Sequence, residues 1–542
     1  YTAILTSPLI AGVAAVTATI DGATVTDTET ITFTAGNAFA ANTTLSSSSP
    51  NIVANGVSVS NMIVQLVDIY GNNLTQSGGS VALLTDLGTL GPVQDFGDGT
   101  YTAVLTSPIT VGTATVTGFV NSVAMTDTAS TNFTPGSPSI TQTLITASPN
   151  TVTANGSSVS TIIVSAVDNN GNSLDAGGDA VVLSATNGTL STVSDLGNGF
   201  YSSLLTSSSF AGFAVITGTL NGLDILDSDI ITFVPGSVSA LNSTVSAASE
   251  IVANGLSTAL VTVQSVDANN NLIEIGSDTV TMATDLGTLT GVSDMGDGTY
   301  TAILTSTTVA ANATITATIN GIAVPDTAVV AFAPGNANIV FTTISSLDAV
   351  LPANGATNTI ITLRVFDVNG NPLISGGNGV VMQTSSGTIS PVVDNLNGTY
   401  EAVLTSATTV TTATVTAILD GAQINDSVQI NFVPGAAEGD TSTIDAALSV
   451  IVADGLTETL ITVQTIDREG NFLVAGGDTV VISTDNGTLG VLTDQGDGTY
   501  TATLRSTTSV VDATIIGIVN GDFFVDDEVV TFIDRPTVDS LV

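Results

Sequence analysis

Lysine, histidine, cysteine and tryptophan are all missing from this chain of 542 residues. Each absence removes a class of chemistry. Without cysteine there are no disulfides and no thiolate metal sites. Without histidine the commonest transition-metal ligand and the usual catalytic base are gone. Without lysine no Lys–Asn isopeptide cross-link can form within the chain, so stability has to come from packing and hydrogen bonds. Basic charge is almost absent as well. Four arginines (Arg364, Arg468, Arg505 and Arg535) face 47 acidic residues, for a net charge of −43. A chain this acidic repels nucleic acid and anionic lipid surfaces and attracts divalent cations. No apolar run reaches the ~18 residues that a membrane helix needs. No secretory leader is visible.

What is present is Thr, Ser, Val, Asn and Gly. Hydrophobic residues make up 43% of the chain, charged ones 9% and aromatics 4%. So little charge argues against disorder, and so many β-branched residues argue for strands.

The phrase GDGTYTA at 97–103 supplies a ruler. It recurs at 296–302 and 496–502, as GNGFYSS at 197–203 and as NGTYE at 397–401. Its tyrosine falls at Tyr1, Tyr101, Tyr201, Tyr300, Tyr400 and Tyr500, a period of 100 residues, once 99. An Ala-Asn-Gly turn keeps step at 54–56, 154–156, 253–255 and 353–355, and becomes Ala-Asp-Gly at 453–455. So does a phenylalanine: Phe33, Phe133, Phe233, Phe332, Phe432 and Phe532. A unit of this length is a whole domain, not a solenoid repeat. The expected divisions are a partial repeat at 1–36 (strands E to G only) and five full repeats at 37–136, 137–236, 237–335, 336–435 and 436–535. Residues 536–542 are expected to start a following repeat. Tyr1 sits in mid-repeat, so the array is expected to continue in both directions.

Within a repeat, Tyr101, Ala103 and Leu105 alternate with Thr102, Val104 and Thr106. Period two with one apolar face means half-buried antiparallel strands. Asp21-Gly22, Asn221-Gly222, Asn320-Gly321, Asp420-Gly421 and Asn520-Gly521 are type I′ hairpin signals. No helical period is seen. In residues 137–236 the pattern predicts seven strands: A over 140–153 with a break near Pro149, B 158–168, C 179–185, D 188–194, E 200–206, F 212–220 and G 223–234. The fold class is therefore all-β, a tandem array of seven-stranded immunoglobulin-like β-sandwiches. Pro-Gly follows the conserved phenylalanine at 135–136, 235–236, 334–335 and 434–435 and leaves hardly any linker. That predicts an elongated, stiff rod on the order of 200 Å.

The run Asn155-Gly156, Val167-Asp168-Asn169-Asn170-Gly171-Asn172, Asn187-Gly188-Thr189-Leu190, Asp195 and Gly199-Phe200-Tyr201 resembles the bacterial immunoglobulin-like repeats of the invasin and intimin type. GDGTYTA, the Asn-Gly hairpin and the Phe-x-Pro-Gly exit also look like the filamin repeat. The resemblance covers all five full repeats and the leading half-repeat. It implies the extracellular stalk of a bacterial surface adhesin, whose receptor contact lies in domains outside this chain. The receptor-binding tips of the invasin and intimin type resemble disulfide-bonded lectin domains, and nothing here matches them.

Five copies in one chain separate roles. The second residue of GDGTY exchanges freely between Asp98, Asn198, Asp297, Asn397 and Asp497, as a turn former does. Three acid classes never vary. One is Asp68, Asp168, Asp267, Asp367 and Asp467, at the end of strand B. Another is Asp95, Asp195, Asp294, Asp394 and Asp494, before the D–E turn. The third is Asp27, Asp127, Asp227, Asp326, Asp426 and Asp526, near strand G. One reading is that these carboxylates accept hydrogen bonds from loop amides. The other is that the first two classes meet at the N-terminal pole of each sandwich and hold Ca²⁺ between domains. No DxDxDG loop accompanies them. The GDGTY tyrosine is expected to point inward and bond a backbone group through its hydroxyl.

No catalytic residue is expected. The nucleophilic triads lack their base, and no phosphate-binding glycine loop occurs. Two functions are weighed: a structural, non-catalytic stalk, and a subunit of a multi-chain extracellular filament or surface-layer fibre. Expected partners are further repeats or other copies of the same chain and, through domains outside it, a host or cell-surface receptor.

Overall fold

The computed structural model describes residues 1–536, so the expected start of a following repeat at 536–542 lies, all but its first residue, outside the described residues. All regular elements of the described residues are β-strands. The chain divides into two compact units. One holds residues 1–243 with 264–278 and 294–299, and the other holds 244–263, 279–293 and the chain from 300 onward.

The second complete repeat lies wholly in the first unit and shows the plan. Strand A is Leu144–Ser148 and A′ is Thr151–Thr153. B is Val159–Ser165, C is Val181–Ala185, E is Phe200–Thr206 and F is Gly212–Leu220. One sheet runs A-B-E with two short pieces beside E, and the other runs A′-G-F-C. G is Asp229–Val234, and A′ lies parallel to it with Val152 opposite Phe233. The same order recurs in the first, fourth and fifth repeats, and the A′-G-F-C sheet recurs in the third.

Three strands differ from their sequence expectations. Strand A breaks near Pro149 as expected, but its two halves join different sheets. Its first half pairs with B, and the chain then crosses at Pro149 to the opposite sheet. Proline, which has no N–H to give a ladder, is tolerated at the crossing but does not cause it, since the third, fourth and fifth repeats split strand A at the same place with Ala248, Asp348 and Leu448 there. Strand D is reduced to Thr189–Leu190 and Ser194–Asp195, both paired to E. Strand G splits into a two-residue hairpin arm, Leu223–Asp224, and the main strand after Asp227. In the leading half-repeat, residues 1–8 form no strand where E is expected. The B and D partners that flank E elsewhere are not in that segment.

Alternation sets the core. Ile162, Val164, Tyr201, Leu205, Ala214, Ile216, Ile231 and Phe233 face inward and are buried. Each large side chain so buried stabilises by about 1.5–3 kcal/mol relative to exposure. Asn221 and Gly222 have φ of 52° and 83°, as the type I′ turn requires. The GDGTY corner needs its second glycine for a different reason. Gly199 has φ +77°, and a Cβ there would lie 2.8 Å from the Leu174 carbonyl oxygen. The corner is thus folded down onto the loop that follows strand B.

Candidate functional site: the junction between repeats

The GDGTYTA corner makes no site of its own. Its variable second residue accepts one amide bond, Thr299 N to Asp297 Oδ1 at 3.0 Å and Thr399 N to Asn397 Oδ1 at 3.0 Å. Asp and Asn carry the same acceptor oxygen, so either serves. The tyrosine is buried, as expected, and its hydroxyl accepts from the loop before strand C: Asp179 N to Tyr201 at 3.1 Å, Asp478 N to Tyr500 at 2.9 Å. Burial raises the pKa of the Tyr201 hydroxyl.

The unvarying aspartates are where the repeats meet. Asp168, 1% exposed, uses both oxygens. Oδ1 accepts from Asn170 N at 2.8 Å and Asn172 N at 2.9 Å. Oδ2 accepts from the linker amide of Gly136 at 2.8 Å and from Asn172 Nδ2 at 2.9 Å. The linker glycine is bound in the same way at the other four junctions. Gly36 N reaches Asp68 at 2.9 Å, while Gly236, Gly335 and Gly435 reach Asp267, Asp367 and Asp467 at 2.8 Å.

Asn172 carries the contact to the preceding repeat. Its Nδ2 donates to the Ile109 carbonyl at 2.8 Å, and its Oδ1 accepts from Val111 N at 3.1 Å. The side-chain amide pairs with the E–F loop of the first repeat as a peptide group would. Asn72 does this with Leu9 and Ala11, Asn271 with Ser209 and Ala211, Asn371 with Thr308 and Ala310, and Asn471 with Thr408 and Val410. Each of these five junctions falls within one of the two units. Sequence reasoning gave this asparagine no role. Its signal was there, an Asn four residues after every class-one Asp in all five copies.

Charge is stabilised at the node. The Asn72 side-chain bond, with amide bonds from Gly36, Asn72 and Tyr70, lowers the pKa of Asp68 from 3.8 to about 2. For Asp168, Asp267, Asp367 and Asp467, burial pushes the pKa up. The asparagine and amide bonds outweigh it, and the net direction is down.

The second acid class has other partners. Asp195 accepts from Gly197 N at 2.8 Å and Gly178 N at 2.7 Å. Asp394 and Asp494 bind Gly377 and Gly477 in the same manner, each at 2.8 Å. Asp95 and Asp294 accept from Gly97 at 2.9 Å and Gly296 at 2.8 Å. The bonds from Gly178, Gly377 and Gly477 tie the D–E corner to the loop before C within one repeat, while those from Gly97, Gly197 and Gly296 stay inside the corner. The donors of the two classes do not overlap. Among the described residues no three acidic side chains group so as to hold a metal ion. The third class ties strand G to strand A, as in Ile145 N to Asp227 Oδ2 at 2.7 Å.

A family model described as invasin, domain 3, matches residues 40–136, 139–236, 239–335, 340–435 and 438–535. Among solved structures, FdeC, an Escherichia coli adhesin, is 22% identical over 56% of this chain and 100% of its own, with a TM-score of 0.42. InvD of Yersinia pseudotuberculosis is 23% identical over 54% of this chain and 98% of its own, TM-score 0.38. Invasin, described as a bacterial integrin-binding protein, is 20% identical over 76% of this chain and 82% of its own, TM-score 0.38. Five successive segments match one model and together span most of the sequence, so the chain belongs to the invasin domain 3 family and is a tandem array of that domain.

Proposed function

We propose that the chain is a non-catalytic, extracellular stalk segment of a bacterial surface adhesin, a stiff spacer that holds a binding region away from the cell. The observation that carries this reading is the Asp–Asn–Gly node at five successive junctions. A linker amide held by a buried carboxylate, beside a side-chain amide that grips the preceding repeat, removes the torsional freedom a short connection would otherwise have. The node is read as a metal-free clasp, because four donors from the protein already fill the carboxylate's acceptor sites. A receptor contact belongs to segments beyond this one. Electron micrographs of the native protein test the proposal. Single beaded strings support a stalk. Multi-chain fibres with helical symmetry would replace it with a filament subunit.

A further inference from the structure

Four junctions lie between complete repeats, and one is built differently. At three of them a second asparagine reaches back across the joint. Asn170 Nδ2 donates to the Ala54 carbonyl at 3.2 Å, Asn269 to Ala154 at 3.2 Å and Asn369 to Ala253 at 3.1 Å. In the fifth repeat this position is Glu469, whose carboxylate has no N–H to give. Asn471 comes within 3.4 Å of the matching Ala353 carbonyl, but the same nitrogen already serves Thr408 at 3.0 Å and Asp467 at 2.9 Å. Asp467 is as buried as its counterparts, but the asparagine beside it is less sheltered. Asn172, Asn271 and Asn371 are buried at 9%, 7% and 6% exposure, whereas Asn471 is half-buried. Glu438, Arg468 and Glu469 stand where the preceding junction has Asn338, Val368 and Asn369. Three long charged side chains that seek water thus stand where one short side chain, Asn369, bonds across the joint and the other two do not.

We propose that the joint between the fourth and fifth repeats is the compliant one, and that the array bends there in preference to the three joints before it. The bend takes its use from the stalk reading but not its test. Multi-chain fibres in micrographs would sink the stalk and leave the bend to be judged separately.

The chain has no native cysteine, so spin labels can be placed on these 542 residues at will. Thr316→Cys with Thr416→Cys spans the third joint between complete repeats. Thr416→Cys with Ile516→Cys spans the fourth. Pulsed electron paramagnetic resonance is expected to give a distance distribution about two-fold broader across the fourth. Glu469→Asn should narrow it to the width of the other, and Asn369→Glu should broaden the other in turn. Equal widths in the unaltered joints, or a width that ignores Glu469→Asn, would overturn the proposal. Calorimetry on each variant checks that the flanking repeats remain folded.

Discussion

Replacing Asp168 by alanine should detach the linker from the second repeat, and the cost can be worked from its four bonds. The donors are Gly136 N, Asn170 N, Asn172 N and Asn172 Nδ2, all at 2.8–2.9 Å. The first two are part-buried and can find water once the carboxylate is gone. The two from Asn172 are buried and cannot readily do so. A lost bond to a charged group costs about 1.5 kcal/mol at the low end, so two give about 3 kcal/mol. For a domain of this size that lowers the melting temperature by on the order of 10 °C. Scanning calorimetry of the whole chain should show one repeat melting early while the others hold. Asp168→Asn, which keeps the volume but points an NH₂ at existing donors, should do nearly as much. Asp175→Ala, an exposed acid further along the same B–C loop and in no such node, serves as control. A loss below ~0.5 kcal/mol for Asp168→Ala, within the range of ordinary surface changes, would refute the clasp.

Other outcomes follow from the same geometry. The class-one carboxylates have depressed folded pKa values, so their stabilisation is full above the unfolded value of 3.8 and is lost as pH falls through the folded one, about 2 for Asp68. Acid titration followed by circular dichroism and scattering should therefore show the junctions loosening between about pH 4 and pH 2, with no loss at pH 5. A chelator should leave the melting curve unchanged, and a rise in melting temperature on adding calcium would contradict the metal-free clasp. Tyr500→Phe strips the acceptor from Gly477 N at 3.1 Å and Asp478 N at 2.9 Å and should destabilise the fifth repeat by about 1–2 kcal/mol, read by calorimetry.

The fold was legible because the signals that set it are local and repeated. Period-two alternation marked E and F within a residue or two, and Asn-Gly at 221–222 marked the hairpin from F to the short arm Leu223–Asp224. Strand A was read as one element because nothing in a local pattern says which sheet a strand joins. Pro149 marked the break but not the change of partner. The junction was half legible. Asp168 stood out because its acid is unvarying in all five copies, which separated it from the exchangeable turn residue Asn198. Asn172 stayed hidden because an asparagine in an Asn-rich loop reads as a turn former. Only the fold brings it against Ile109 and Val111, over sixty residues away. The hairpin acids show the same limit. Asp179 faces Asn221 in the second repeat and Asp478 faces Asn520 in the fifth, while Asn378 faces Asp420 in the fourth, so in these three one amide and one carboxylate meet. That exchange can be seen in the sequence only once the contact is known.

The central claim is that side-chain clasps at the junctions make the array a spacer. Small-angle X-ray scattering of the whole chain, unaltered and with the class-one aspartates changed to alanine, tests it most directly. The account predicts an extended particle on the order of 200 Å for the unaltered chain and a shorter, broader distribution of lengths once the clasps are gone. A flexible-chain profile for the unaltered protein, or one that the substitutions leave unchanged while the repeats remain folded, would contradict it.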